Sequence, residues 1–427
     1  MFFDLPYGKE RISVRIPDGV HVDFLTPKEI VPLDDAEGAL RQACADPIDS
    51  PPLESCVKRA NNVLILVSDL TRGGGTKRIL PLCVRHLKDI GLTPNRIKVL
   101  VARGTHRKLT KEEKQFFKTK DFVGITVEEH DCNDNSVMSA LVLTSRKTPV
   151  RVNRSIKEAG LVLLVAPVSF HYFAGFGGGR KLILPGCSDR ASILANHRLS
   201  LLDSSPVKLN PLCKPGSLEK NPIHEDMCEA LAPLSGLFAI NFFSDHLGNI
   251  AFINTGSPLR SHVEACDKYA SLYTCSIDEP YRVVVLSPGG FPYDINLLQS
   301  HKALKHASSA VTEKGSVLFI TECSEGVGSE GLEKAFDMPR NEFLKIAYKK
   351  YEGNYQTAVS LHGLMDRFRI GMVSKLDRGI LDKFGFEPCE NIEVFIAGAL
   401  ETLRATKIGL IPYGSSTLIK AQQGGRT

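Results

Sequence analysis

Short apolar runs bounded by turn residues alternate along the chain with longer stretches in which apolar positions recur every third or fourth residue. The first pattern marks buried strands and the second amphipathic helices, so their alternation predicts an α/β fold of mostly parallel sheets covered by helices. NVLILVSD (62–69) is expected as a strand and TKRILPLCVRHLKDIG (76–91) as the helix after it. RIKVLVARG (96–104) and GLVLLVAPVS (160–169) repeat the strand signature, with helices expected at KEEKQFFK and SDRASILANHRL. HEDMCEALAPLSG and PLRSHVEACDKYASLYT read as further helices, LFAINFFSD and GNIAFINTG as further strands.

Near Ser276 to Pro280 the pattern resets. YRVVVLSPGG, a helix over NLLQSHKALKHASSAVTEKG and the strand SVLFITE open a second alternating series. Two domains are expected, residues 1–276 and 277–412, with a cleft between them. KIGLIPYG ends in a turn, from which residues 413–427 are expected to cross back and complete the first domain. A length of 427 residues agrees with two cores, at roughly 100 to 200 residues per domain.

Composition narrows the partners. The surplus of 53 basic over 48 acidic residues is small and spread without blocks, which indicates neither a nucleic-acid nor a membrane partner. The longest strongly apolar run, LVLLVAPV, is far short of the ~20 residues a spanning helix needs. The amino terminus is charged by its fourth residue and then alternates as a strand does, unlike a signal peptide. Eleven cysteines without a C-x-x-C pair fit reduced, mostly buried thiols, and a cytoplasmic location is expected.

In open α/β sheets ligands bind beyond the carboxyl ends of the strands. The segments there are SDLTRGGGT, RGTHR, SFHYFAGFGGGRK and PGGFPYDINLLQSHK, each holding glycine with His, Arg or Lys. GFGGGRK invites a phosphate-loop reading, but its spacing matches no named version. Counting from Gly175, Arg180 stands where both the second Walker glycine and the third dinucleotide-fingerprint glycine belong. His171 and His197 lack the spacing of a helical zinc pair. His106 and His171 both follow buried strands, where they can exchange protons near neutral pH. Asp69, Thr71 and Arg72 precede a helix, where Thr71 can cap it and Arg72 can hold a carboxylate or phosphate. Gln299 and Lys302, three residues apart, share a helix face, while His301, Lys305 and His306 on the same helix are expected at the surface.

Together these residues resemble the nickel-pincer-nucleotide-dependent lactate racemase family. The matching pieces are SDLTR with Asp69 and Arg72, GTHR with His106, the nine-residue gap from His171 to Lys181, the further sixteen residues to His197 in ANH, and QSHKAL with Gln299 and Lys302. They run in order over nearly the whole chain. The resemblance implies a cofactor-binding first domain and a second that closes over substrate. Its cofactor is a pyridinium mononucleotide whose two sulfur-bearing arms grip nickel. Lys181 would join it covalently, His197 would ligate the nickel, and Asp69 and Thr71 would lie beside it. Gly177, Gly178 and Gly179 would keep side chains out of the lysine's approach.

The resemblance further implies racemisation or epimerisation of a small 2-hydroxy acid. The α-hydrogen leaves as hydride and a 2-keto acid forms, while His106 and His171 exchange the hydroxyl proton on opposite sides. Arg72, Gln299 and Lys302 would hold substrate oxygens. Cofactor-making and maturation proteins are the expected partners. The chain has no tryptophan, and GGG follows SDLTR where relatives often have proline, so the resemblance leaves the particular 2-hydroxy acid open. The alternative class is a nucleotide- or phosphate-binding protein without redox chemistry.

Overall fold

In a computed structural model, residues 1–69 and 75–422 are described. The first six-stranded sheet runs in the order Ile250–Gly256, Leu237–Ser244, Leu161–Pro167, Val63–Ser68, Ile97–Ala102, Thr126–Glu129. All neighbours are parallel except the first two, which form a hairpin. Successive side chains of a strand point to opposite faces. Val63, Ile65 and Val67 therefore enter one core with Ile79, Val84 and Leu87 of the helix Thr76–Asp89. Leu64 and Leu66 enter another, shared with Phe173, Ala174, Leu182 and Ile183 of the glycine-rich loop. The loop is thus fixed by packing on the sheet.

The second sheet is parallel throughout, in the order Glu387–Pro388, Arg369–Val373, Val311–Ile320, Tyr281–Leu286, Lys407–Ile411, His21–Phe24. Its last strand comes from the amino terminus. The hairpin of Phe2–Tyr7 and Glu10–Arg15 also belongs here, with Leu5 and Val14 packed in one core with Val283, Val285, Leu318 and Leu410. Residues 1–24 therefore depart from the division at 276: they pack with the second sheet, because strand pairing across nearly the whole chain leaves no local mark in sequence. At the other end Leu418–Ala421 pairs in parallel with Thr274–Ile277. The helix expected over 296–315 spans only Leu297–Ala307, and Val311 already begins the next strand. All eleven cysteines are free, and no helix among the described residues is long and apolar enough to cross a membrane.

Candidate active site

A cavity of about 1050 Å³ opens where the carboxyl ends of Val63–Ser68, Ile97–Ala102 and Leu161–Pro167 face the helix Leu297–Ala307. His106, His171, Lys181, His197, Gln299 and Lys302 all line it, as do Gly177 and Gly178. Asp69 lies behind His106, with a carboxylate oxygen 3.1 Å from Nδ1. Thr71 and Arg72 lie outside the described residues. Each histidine has a fixed ring. The turn bearing His106 is folded back by Arg103, which donates to the His106 carbonyl at 2.6 Å and pairs with Asp131 at 3.0 Å. His171 lies in a two-residue strand paired with Gly175–Phe176, and its Nδ1 accepts the Ala174 N–H at 3.3 Å.

Phe173 gathers the second wall. Its ring centre is 4.5 Å from that of His171 and 5.0 Å from that of His197, and the Lys181 ammonium is 5.4 Å from it. His197 ends the helix Arg190–Arg198, whose first turn is capped by Asp189 accepting from the Ser192 N–H. Its Nδ1 faces the Asn196 side-chain oxygen at 3.2 Å, and the Asn196 amide donates to buried Asp226 at 2.8 Å. An acceptor at Nδ1 puts the ring proton there and the lone pair on Nε2, the form of imidazole that binds metal.

The glycines have a steric reason. A Cβ on Gly178, at φ +83°, would lie 3.0 Å from the Pro167 carbonyl oxygen, and one on Gly179, at φ +48°, 2.9 Å from the His262 ring. Packing against the strand end, as much as access for Lys181, requires a bare backbone. Arg180 turns away from the cavity and is wholly buried. It donates to the carbonyls of Ala174 and Phe176 at 3.0 and 3.2 Å and lies 2.9 Å from His262 Nε2. Burial lowers both the Arg180 and the His262 pKa, His262 well below the usual histidine value, where it is neutral beside the guanidinium.

On the opposite wall Asn296 caps the helix by accepting from the Gln299 N–H at 3.0 Å, and Lys302 donates to the Gln299 side-chain oxygen. His301 and His306 depart from the surface position expected of them: both are buried, at 3.2 Å from Ser360 Oγ and the Gly414 carbonyl respectively. This helix is covered on two sides, so its polar residues do not mark a solvated face. Burial pushes His301 down to about 3 and His306 to about 4. Sequence reasoning missed two contacts that reach across the cavity. Arg107 donates to Glu325 at 3.2 and 3.4 Å, and the Tyr172 hydroxyl meets Thr357 Oγ1 at 2.7 Å and accepts from Gln356 Nε2 at 3.0 Å. The available signal was their position, each directly after a candidate proton-carrying histidine.

Two known domains match the chain in turn. Residues 7–208 match the lactate racemase N-terminal domain, and residues 278–419 the lactate racemase C-terminal domain. The fold is similar to that of the lactate racemase apoprotein from Thermoanaerobacterium thermosaccharolyticum, with a TM-score of 0.85 and 26% identity over 98% of this chain and 100% of that one. A protein from Thermotoga maritima, 15% identical, shares the fold with a TM-score of 0.68 over 92% of this chain and 100% of that one. Curated relatives named lactate racemase come from Thermoanaerobacterium thermosaccharolyticum and Lactiplantibacillus plantarum. Each is 30% identical, over 78% of this chain and 77% of the relative in the first case and 98% and 99% in the second. Fold and relatives define the class: a two-domain α/β isomerase, a racemase. Within that class the chain belongs to the lactate racemase family.

Proposed function

We propose that the protein racemises a small 2-hydroxy acid, lactate or a close analogue, using a nickel-pincer nucleotide joined to Lys181. The observation that carries this reading is the clustering of Lys181, His197 and His171 around Phe173, on a cavity that His106, Gln299 and Lys302 also line. The residues fit the group. His197 offers Nε2, and among the described residues no cluster of three or more His, Cys, Asp or Glu could hold an ion. Nickel at His197 would take its other donors from the bound group, and sulfur beside imidazole suits it. When bound, that group supplies acceptance and return of hydride at substrate C2, so that a planar 2-keto acid lies between the enantiomers.

The chain's own residues move the hydroxyl proton. Asp69 accepts from Nδ1 of His106, so Nε2 of His106 is the atom that takes the proton, with a buried counter-ion behind it. His171 serves the opposite hydroxyl orientation. Lys302, steadied by Gln299, offers positive charge to the carboxylate or carbonyl oxygen. Arg72 is assigned the same task, and Asp69 and Thr71 are assigned to the cofactor side. Cofactor-making and maturation proteins are the expected partners, in a cytoplasmic setting. Protein coexpressed with those partners is expected to carry about one nickel per chain, added mass on the Lys181 peptide, and racemase activity without NAD. Lys181→Ala should lose adduct and turnover together. A Lys181→Ala variant that merely binds an anion more weakly would favour the nucleotide-binding class instead.

A further inference from the structure

Tyr172 is buried between the two halves of the molecule. Its ring stacks on that of His171, with centres 5.2 Å apart and planes 21° off parallel, and meets the His301 ring edge-on at 4.6 Å and 88°. His301 belongs to the helix that carries Gln299 and Lys302. The hydroxyl is held by Thr357 Oγ1 and by the Gln356 amide, both on the helix Tyr355–Arg367, and the Gln356 oxygen accepts in turn from the Tyr351 hydroxyl. In this chain of four polar groups Tyr172 is the member from the amino-terminal half. A phenylalanine would fill the same volume, so packing alone does not account for the hydroxyl. Burial raises the hydroxyl pKa well above its ordinary value, which leaves Tyr172 a neutral hydrogen-bonding group and no carrier of protons.

We infer that Tyr172 is a positioning residue: its hydroxyl, held by Thr357 and Gln356, registers the His171 ring against the half of the molecule that bears Gln299 and Lys302. The inference rests on the proposed function in taking His171 as a proton carrier. His171 is fixed in three directions, by the Ala174 N–H at Nδ1, by the edge contact with Phe173 and by the face of Tyr172. Of these, Tyr172 alone is hydrogen-bonded to the opposite half. Releasing its hydroxyl frees the ring to tilt, and His171 with it. Misplacement of a reacting group by about 1 Å can cost roughly 100-fold in rate.

The test uses Tyr172→Phe and Gln356→Met, singly and combined, in cofactor-loaded enzyme assayed with each enantiomer of lactate. Each single variant is expected to lose roughly 10- to 100-fold in kcat, with adduct mass on the Lys181 peptide and thermal midpoint close to wild type. The double variant should be no worse than Tyr172→Phe alone, since that change already removes the hydrogen bonds to both Thr357 and Gln356. Because the enantiomers are equal in energy, kcat/KM must fall equally in the two directions. Unchanged kcat, additive losses, or a loss that follows falling thermal stability would overturn the inference. A second readout needs neither cofactor nor turnover: in unloaded protein with isotope-labelled histidine, the His171 ring signal, assigned with His171→Asn, should broaden or shift in Tyr172→Phe. An unmoved signal also overturns it. A fully active His171→Asn would instead sink the acid–base assignment itself, so the two failures are distinguishable.

Discussion

At the scale of single residues, chemistry here is set by what stands behind each group. Asp69 stands behind His106 and Asn196 behind His197, while Arg180, adjacent to Lys181, is spent on holding the loop that presents it. Gly179 tests that loop most directly. In Gly179→Ala the left-handed backbone and the approach to the His262 ring together should cost about 2–4 kcal/mol, measured by urea unfolding of unloaded protein. A neutral result would mean that the loop relaxes freely and that the packing does not fix Lys181. The candidate residues were legible because strand ends in an α/β sheet are few and polar residues there are exposed to scrutiny. Arg180 was not: whether a guanidinium faces solvent or two loop carbonyls depends on His262, far along the chain. Nor was the hydroxyl of Tyr172, whose partners lie in the other half.

At the scale of elements, the helix Leu297–Ala307 shows how polar sequence can mislead. Its QSHKALKH stretch reads as a solvated face, yet His301 and His306 are buried in the neutral form. Their pKa values in the folded protein, about 3 and about 4, lie below the ordinary histidine value of 6.5. Between those limits the unfolded chain binds protons that the native protein refuses. Their contribution is therefore complete above about pH 6.5 and is lost as pH falls toward 4, at up to about 1.4 kcal/mol per pH unit for each histidine. Denaturant unfolding between pH 7.5 and 5 should show this slope. His306→Gln should flatten it, even if its stability at neutral pH is lower; an unaltered slope would mean that His306 is not excluded from protonation. Strand identities were readable from apolar runs, whereas the helix end at Ala307 was not, because no glycine or proline separates it from the strand at Val311.

At the scale of the whole molecule, the division between halves is not a single cut in the chain. The strand His21–Phe24 flanks Lys407–Ile411, and the hairpin before it closes the core containing Val285, Leu318 and Ile408. Removing residues 1–25 should therefore damage the second half and spare the first. A 26–427 chain is expected to aggregate or to expose its carboxyl-terminal half to protease, and a fully soluble, protease-resistant product would contradict this. The apolar pattern at the amino terminus announced strands but not their partner. The same crossing imposes an order on biosynthesis. The strand His21–Phe24 is completed only by Lys407–Ile411, and at about 5–20 residues per second the wait between them is roughly 20 to 80 s. The first sheet, encoded wholly within that interval, can assemble on the ribosome. The strand His21–Phe24 must remain without that neighbour until residues 407–411 have been made, which makes it the segment that a chaperone or a peptide mimic would meet first.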